Sequence, residues 1–166
     1  MGRMGSMAMD VDADSFDLSS AVEMLRDIYE HRIPFNRELG LEVSRLELDR
    51  VTVKIRMQEK LIGNFTKQSL HGGVVASVLD LAGGMVAGIG LARQLAGASR
   101  EMLFERISRM GTIDLRVDYL RPGRGAYFLT SASVLRTGNK VAVTRMEMHN
   151  DRQDLIAVGT GTYIVG

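Results

Sequence analysis

His71-Gly72-Gly73 opens the run VVASVLDLAGGMVAGIGLA, Val74 to Ala92, in which Ser77 and Asp80 are the only polar side chains. A run this long and this apolar reads as a helix enclosed by protein on every side. One acid inside it is therefore conspicuous. A buried carboxylate without a partner costs several kcal/mol or changes its pKa, so Asp80 is either satisfied by a hidden network or kept for chemistry. The glycines ahead of it favour chemistry. A Gly-Gly pair lets a ligand approach the backbone where the first-turn N–H groups and the positive end of the helix dipole point outward, although an ordinary helix start uses the same residues. Such N–H groups would clamp a carbonyl oxygen, and a carboxylate further along would supply the base or nucleophile of acyl hydrolysis.

Reading outward, Asp17 to His31 carries Leu18, Val22, Leu25, Ile28 and Tyr29 at helical spacing, and Pro34 is expected to end that helix. Leu41 to Leu48 and Val51 to Met57 read as strands joined by a tight turn at Asp49-Arg50; in the second, Val51, Val53, Ile55 and Met57 alternate with polar residues, one face buried and one wet. Gln58 to Leu70 is read as a loop. Arg100 to Met110 reads as a charged, irregular insert that extends the central helix or forms a flap. Ile113, Leu115, Val117 and Tyr119 alternate with charged residues as a strand does. Tyr127 to Arg136 and Lys140 to His149 form a hairpin around Thr137-Gly138-Asn139, and Leu155 to Val165 closes the series. The architecture expected is α+β: about six mostly antiparallel strands curled around one long helix. Residues 1–16, acidic and without a signal-peptide core, read as a tail, and residues 17–166 as one domain.

Composition narrows the function. The chain has 166 residues, 45% of them hydrophobic, enough for a single core. A net charge of +1 provides no basic field for nucleic acid, and the absence of cysteine removes disulfides and thiolate nucleophiles and suits the cytoplasm. Three His residues without ligand spacing speak against a metal site. Val74 to Ala92 is long enough to span a bilayer, but an Asp near its centre would cost about 2.5–3.5 kcal/mol there, so no membrane insertion is expected.

The motif HGGVVASVLD, His71 to Asp80, resembles the central-helix signature of hotdog-fold acyl-CoA thioesterases, the branch containing the phenylacetate-pathway and 4-hydroxybenzoyl-CoA enzymes. TIDLRVDYLRPG, Thr112 to Gly123, is similar to the strand and Arg-Pro turn that follow that helix, and IPFNRELGL, Ile33 to Leu41, is similar to the segment leading into the domain. The resemblance implies a hotdog fold and hydrolysis of an acyl-CoA, with coenzyme A as part of the substrate and no separate cofactor. Position by position it implies that the Gly73 N–H is the donor to the thioester carbonyl, that Asp80 is base or nucleophile, and that His71 lines the helix start. Where the family often has Asn or Gln six residues before the His, this chain has Phe65. A one-residue insertion would bring Asn64 there, and Gln68 is the other nearby amide.

Gly73 and Asp80 are seven residues apart, about 10.5 Å of rise on one helix. An oxyanion donor works from roughly 3 Å, so one helix would be strained to supply both groups. Two antiparallel helices can. The family comparison implies the same composite site, and a homodimer is therefore the smallest active unit expected, with a tetramer as a dimer of dimers beyond it. Gly83-Gly84 and Gly88 would let a second backbone come close. Gly72 and Val74 belong to the substrate surface, and Arg121 and Arg124, in predicted turns, are candidates for the CoA phosphates. The Val74, Val78 and Met85 lining, with 5% aromatic content, favours medium to long aliphatic acyl groups. Two other classes stand beside hydrolysis: a hotdog protein that binds acyl thioesters as a sensor or scaffold, and a hotdog hydratase or dehydratase.

Overall fold

Asp17 caps the first helix, its carboxylate accepting from Ser20 N–H at 2.7 Å, and starts α1 (Leu18–Asp27). The computed structural model describes residues 16–166, so the expected tail lies outside the described residues except for Phe16, which is buried against Ala21, Ala92 and Leu103. The helix expected to run to His31 changes pitch: Ile28–Arg32 is a π turn closed by Ile33 N–H on the Ile28 carbonyl at 3.1 Å. Pro34 does not simply end it. Its missing N–H is harmless at the first position of a helix, and it opens α2 (Pro34–Leu39), which stops at left-handed Gly40 with φ 67°.

The strands β1 (Glu42–Leu46) and β2 (Arg50–Arg56) form the expected hairpin, and the alternation in β2 buries Val51, Val53 and Ile55 completely. The stretch read as a loop is more ordered than its composition suggested. It contains a 3-10 turn (Glu59–Leu61) and a two-stranded ribbon, β3 (Ile62–Asn64) with β4 (Ser69–Leu70). The ribbon lies directly on the start of the central helix: a Cβ on Gly63 would stand 2.5 Å from the His71 Cα, and His71 N–H donates to the Leu61 carbonyl at 2.8 Å.

The central helix α3 (Gly72–Gln94) exceeds its expected bounds by two residues at each end, and more than half of its 23 residues are buried. The insert after it is neither a continuation nor a flap but a separate helix, α4 (Arg100–Ser108), capped by Ser99 and pinned by Leu103, which is 1% exposed. Its one anchoring apolar residue is too little periodicity to show in sequence. Four strands follow: β5 (Gly111–Tyr119), β6 (Tyr127–Thr137), β7 (Val141–Asn150) and β8 (Leu155–Ile164). The sheet runs β1-β2-β6-β7-β8-β5, antiparallel throughout, with α3 against one face. Val78, Leu79, Met85 and Ile89 of α3 meet Ile55, Phe128, Met146 and Ile156 of the sheet in one core. The α+β expectation holds.

β5, the strand its alternation predicted, is an edge, with Leu115 and Val117 packed against the core and Ile113 and Tyr119 52% and 55% exposed. One reading is corrected. The glycines of α3 admit side chains of the same chain and not a second backbone: a Cβ on Gly83 would lie 2.3 Å from the Tyr163 hydroxyl, one on Gly84 3.0 Å from the Tyr29 hydroxyl, and one on Gly88 3.3 Å from Leu25. Gly83→Ala tests this packing. Helix propensity would gain about 1 kcal/mol and overpacking would cost about 1–3 kcal/mol, so thermal melts are expected to show a lower Tm than wild type. A Tm at or above wild type would show that the Tyr163 ring yields freely.

Candidate active site

At the start of α3 the first-turn N–H groups face outward, with Gly72 and Gly73 both exposed. His71 is the N-cap, and its Nδ1 accepts the Gly73 N–H at 2.9 Å. The donor expected to meet a thioester oxygen is thus occupied by its neighbour's imidazole. Val74 and Val75 N–H both turn to the His71 carbonyl, and the Gly72 N–H has no acceptor among the described residues. Around this helix start lies a cavity of about 380 Å³ lined by His71, Gly73, Val74 and Ser77 together with Phe35 and Leu61. Ser77 Oγ donates to the Gly73 carbonyl at 2.7 Å, a local bond within the helix.

Asp80 lies two turns further along the same face of α3, since seven residues are close to two full turns. It is half-buried, not enclosed as the apolar run implied. Thr112 Oγ1, from the start of β5, donates to Asp80 Oδ1 at 2.9 Å, and the Tyr163 hydroxyl donates to the Asp80 backbone carbonyl at 3.1 Å. The carboxylate opens into its own cavity of about 120 Å³, shared with Tyr29, Gly84, Met110, Thr112 and Tyr163. Burial raises the pKa of both tyrosine hydroxyls, and the negative charge of Asp80 raises it further. Both stay neutral donors. Within one chain, therefore, Gly73 and Asp80 face separate cavities.

The other expected residues divide. Val74 stands beside His71 and Gly73. Asn64 does not join them: its Oδ1 accepts from Thr66 Oγ1 at 2.7 Å and Lys67 N–H at 3.0 Å, which fixes the exposed β3–β4 loop. Gln68 adopts φ 48°, donates to the Phe65 carbonyl at 2.7 Å and lines a different cavity, with Phe65 and Ile62. Gly72 and Arg121 share a fourth cavity, of about 350 Å³, in which the Arg121 guanidinium donates to the Leu155 carbonyl at 2.9 Å. Arg124 is exposed one turn beyond. Thr112, Tyr29 and Tyr163 were not singled out from the sequence, because only the strand register and the helix crossing bring them to Asp80. Among the described residues no three His, Asp or Glu side chains converge as a metal site would require.

A helix held in a curled antiparallel sheet, with exposed backbone donors at its start and one carboxylate two turns on, defines the class of hotdog thioesterases. Comparison with known proteins gives the same class. The Thioesterase superfamily profile matches residues 67–157. A protein of Escherichia coli K12 named medium/long-chain acyl-CoA thioesterase YigI is 47% identical over 146 residues, 88% of this chain and 94% of that one. Among solved structures, a thioesterase-superfamily protein of Shewanella oneidensis superposes with TM-score 0.86 at 46% identity, covering 90% of this chain and 97% of that one. The E. coli PaaI protein shares the fold at TM-score 0.72 and 19% identity, covering 90% and 96%. The chain belongs to the thioesterase superfamily.

Thr112 provides the first test of the site. Thr112→Val keeps the shape and deletes the donor that orients Asp80, and because the bond is exposed its loss costs at most about 1 kcal/mol of folding stability. Thioester turnover is expected to fall by about tenfold or more, with Thr112→Ser recovering most of it and both variants melting near wild type. Wild-type kcat in Thr112→Val would show that Asp80 needs no such fixing.

Proposed function

We propose that the protein hydrolyses acyl-CoA thioesters with medium to long aliphatic acyl groups, as a homodimer whose sites combine Asp80 of one subunit with the partner's Gly72-Gly73 helix start. The observation that carries this reading is the Asp80 carboxylate, held through Oδ1 by Thr112 and open to a cavity through its remaining edge. In that arrangement Oδ2 accepts a proton from water as the water oxygen attacks the thioester carbon. Negative charge moves to the carbonyl oxygen, where backbone N–H groups at a helix N-terminus stabilise it. Collapse of the tetrahedral species breaks the C–S bond, and the departing sulfur takes the proton that Asp80 received, leaving acid, CoA thiol and an ionised Asp80.

The dimer is supported by two features of one chain. Asp80 and Gly73 open into separate cavities, so neither is complete alone. Among the described residues β5 leaves an unpaired edge with Ile113, Tyr119 and Leu120 exposed beside it, a template for pairing with a second copy about a two-fold axis. The acyl preference is supported by the name and 47% identity of the E. coli relative and by the aliphatic lining of the two cavities, Leu81 and Met110 beside Asp80 and Val74 and Leu61 beside Gly73. Arg121, beside Gly72, and Arg124 supply cations for the CoA phosphates at the surface. The chain's lack of cysteine fits the reducing cytoplasm.

Thiol release measured from acetyl- to palmitoyl-CoA, with phenylacetyl- and benzoyl-CoA included, tests the substrate class; hydrolysis confined to aryl substrates would overturn it. Asp80→Asn keeps the shape without the base and is expected to lower kcat by about 10²–10⁴ while substrate still binds. Wild-type turnover in that variant would end the assignment. For the shared site, Asp80→Asn is mixed with Gly73→Val, whose side chain would strike the His71 ring that already lies 3.0 Å from an added Cβ. Heterodimers with one intact half-site from each subunit are expected to regain activity, and a fully active monomer in light scattering would refute the composite site.

A further inference from the structure

We infer that Tyr29 is the stop that sets acyl length, and that the acyl tail runs from Asp80 along α3 to Gly84, where the Tyr29 ring closes the way. Resting on the thioesterase reading, this names the groups that discriminate between substrates. Asp80, Gly84 and Gly88 recur every four residues, so they lie on one face of α3 in a row leading away from the carboxylate. α1 and the π turn that follows it cross that row antiparallel, with Leu25 over Gly88 and Tyr29 over Gly84. The cavity beside Asp80 includes Tyr29, Gly84 and Met110 in its lining.

Its size makes Tyr29 decisive. At the ~30 Å³ that a water molecule takes in the liquid, 120 Å³ holds roughly four groups of methylene size. A short tail fits as the cavity stands, whereas the medium to long tails proposed above enter only as the phenol ring turns aside. Beneath the ring the floor has no side chain at Gly84, about 6 Å or roughly five carbon–carbon bonds along the helix from Asp80, and one turn further Leu25 fills the space over Gly88. Among the described residues the Tyr29 hydroxyl has no hydrogen-bond partner, so packing alone holds the ring. The backbone that carries it is fixed. Asn36, fully buried, donates from Nδ2 to the Tyr29 carbonyl at 2.9 Å, and Glu30 accepts the Val43 N–H. The π turn of Ile28–Arg32, a form often found at functional sites, thus presents the ring from a clamped backbone, with packing alone to hold the phenol end.

The test is the ratio of kcat/KM for palmitoyl-CoA to that for butyryl-CoA, measured within each variant. Tyr29→Ala is expected to raise the ratio by about tenfold or more, the scale on which apolar pockets discriminate, and Tyr29→Phe to keep it near wild type. Gly84→Ala places a methyl 3.0 Å from the Tyr29 hydroxyl and is expected to lower the ratio by a similar factor. Because alanine is the better helix former, Gly84→Ala carries the test if Tyr29→Ala fails to fold. Ratios unchanged within about twofold in the folded variants, with hydrolysis still dependent on Asp80, would overturn the Tyr29 stop and leave the thioesterase reading standing. Failure of the wild-type protein to hydrolyse any acyl-CoA would remove both.

Discussion

The Tyr163 ring stands where Gly83 has no side chain, and its hydroxyl reaches the Asp80 carbonyl at 3.1 Å. Much of the molecule depends on this fit. β8 is flanked by β7 and β5, so a residue of β8 that locks onto α3 sets the helix against the middle of that half of the sheet. With a side chain at position 83 the helix would have to stand away from β8, and Thr112, on β5 next door, would no longer reach the Asp80 carboxylate. A packing constraint inside the core therefore fixes the geometry of the one acid on α3. Interiors are dense enough that such a constraint has little slack.

Much of this was legible in sequence, and the limits are physical. The α3 run and the alternation of β2 announced themselves because each is a long stretch with one repeated environment. The hairpin between β6 and β7 was visible for the same reason, helped by Gly138. By contrast α2 and the β3–β4 ribbon are too short to display a period, and α4 has one buried residue among charged ones. The alternation of β5 showed the strand but not its place in the sheet, because burial also depends on what lies opposite, and at this edge Ile113 and Tyr119 stay exposed.

For the site, the helix carried its own message and the loops did not. His71, Gly72, Gly73 and Asp80 were found because they sit at fixed intervals on one element. Asn64 and Gln68 were placed by distance along the chain, and the ribbon turns their polar atoms inward upon the loop itself. Thr112 and Tyr29 are 32 residues downstream and 51 upstream of Asp80 in a sequence that gives no local sign of their meeting. Only antiparallel register and the crossing of α1 over α3 bring them together.

The His71 cap gives the helix start a property that a bare N-terminus lacks. Its Nδ1 is a neutral acceptor for the Gly73 N–H, so the resting helix has that donor satisfied. A thioester carbonyl is also a neutral acceptor and gains little by replacing the imidazole. An oxyanion differs, because hydrogen bonds to an ionised acceptor are roughly twice as strong as neutral ones. On the proposed mechanism the exchange from imidazole to substrate oxygen becomes favourable only as negative charge develops during attack. The cap would then withhold Gly73 from the bound substrate and yield it to the transition state, which is the difference in binding that accelerates a reaction. The Gly72 N–H, which has no acceptor among the described residues, faces another cavity, so on the proposed mechanism the charge-dependent exchange rests on Gly73.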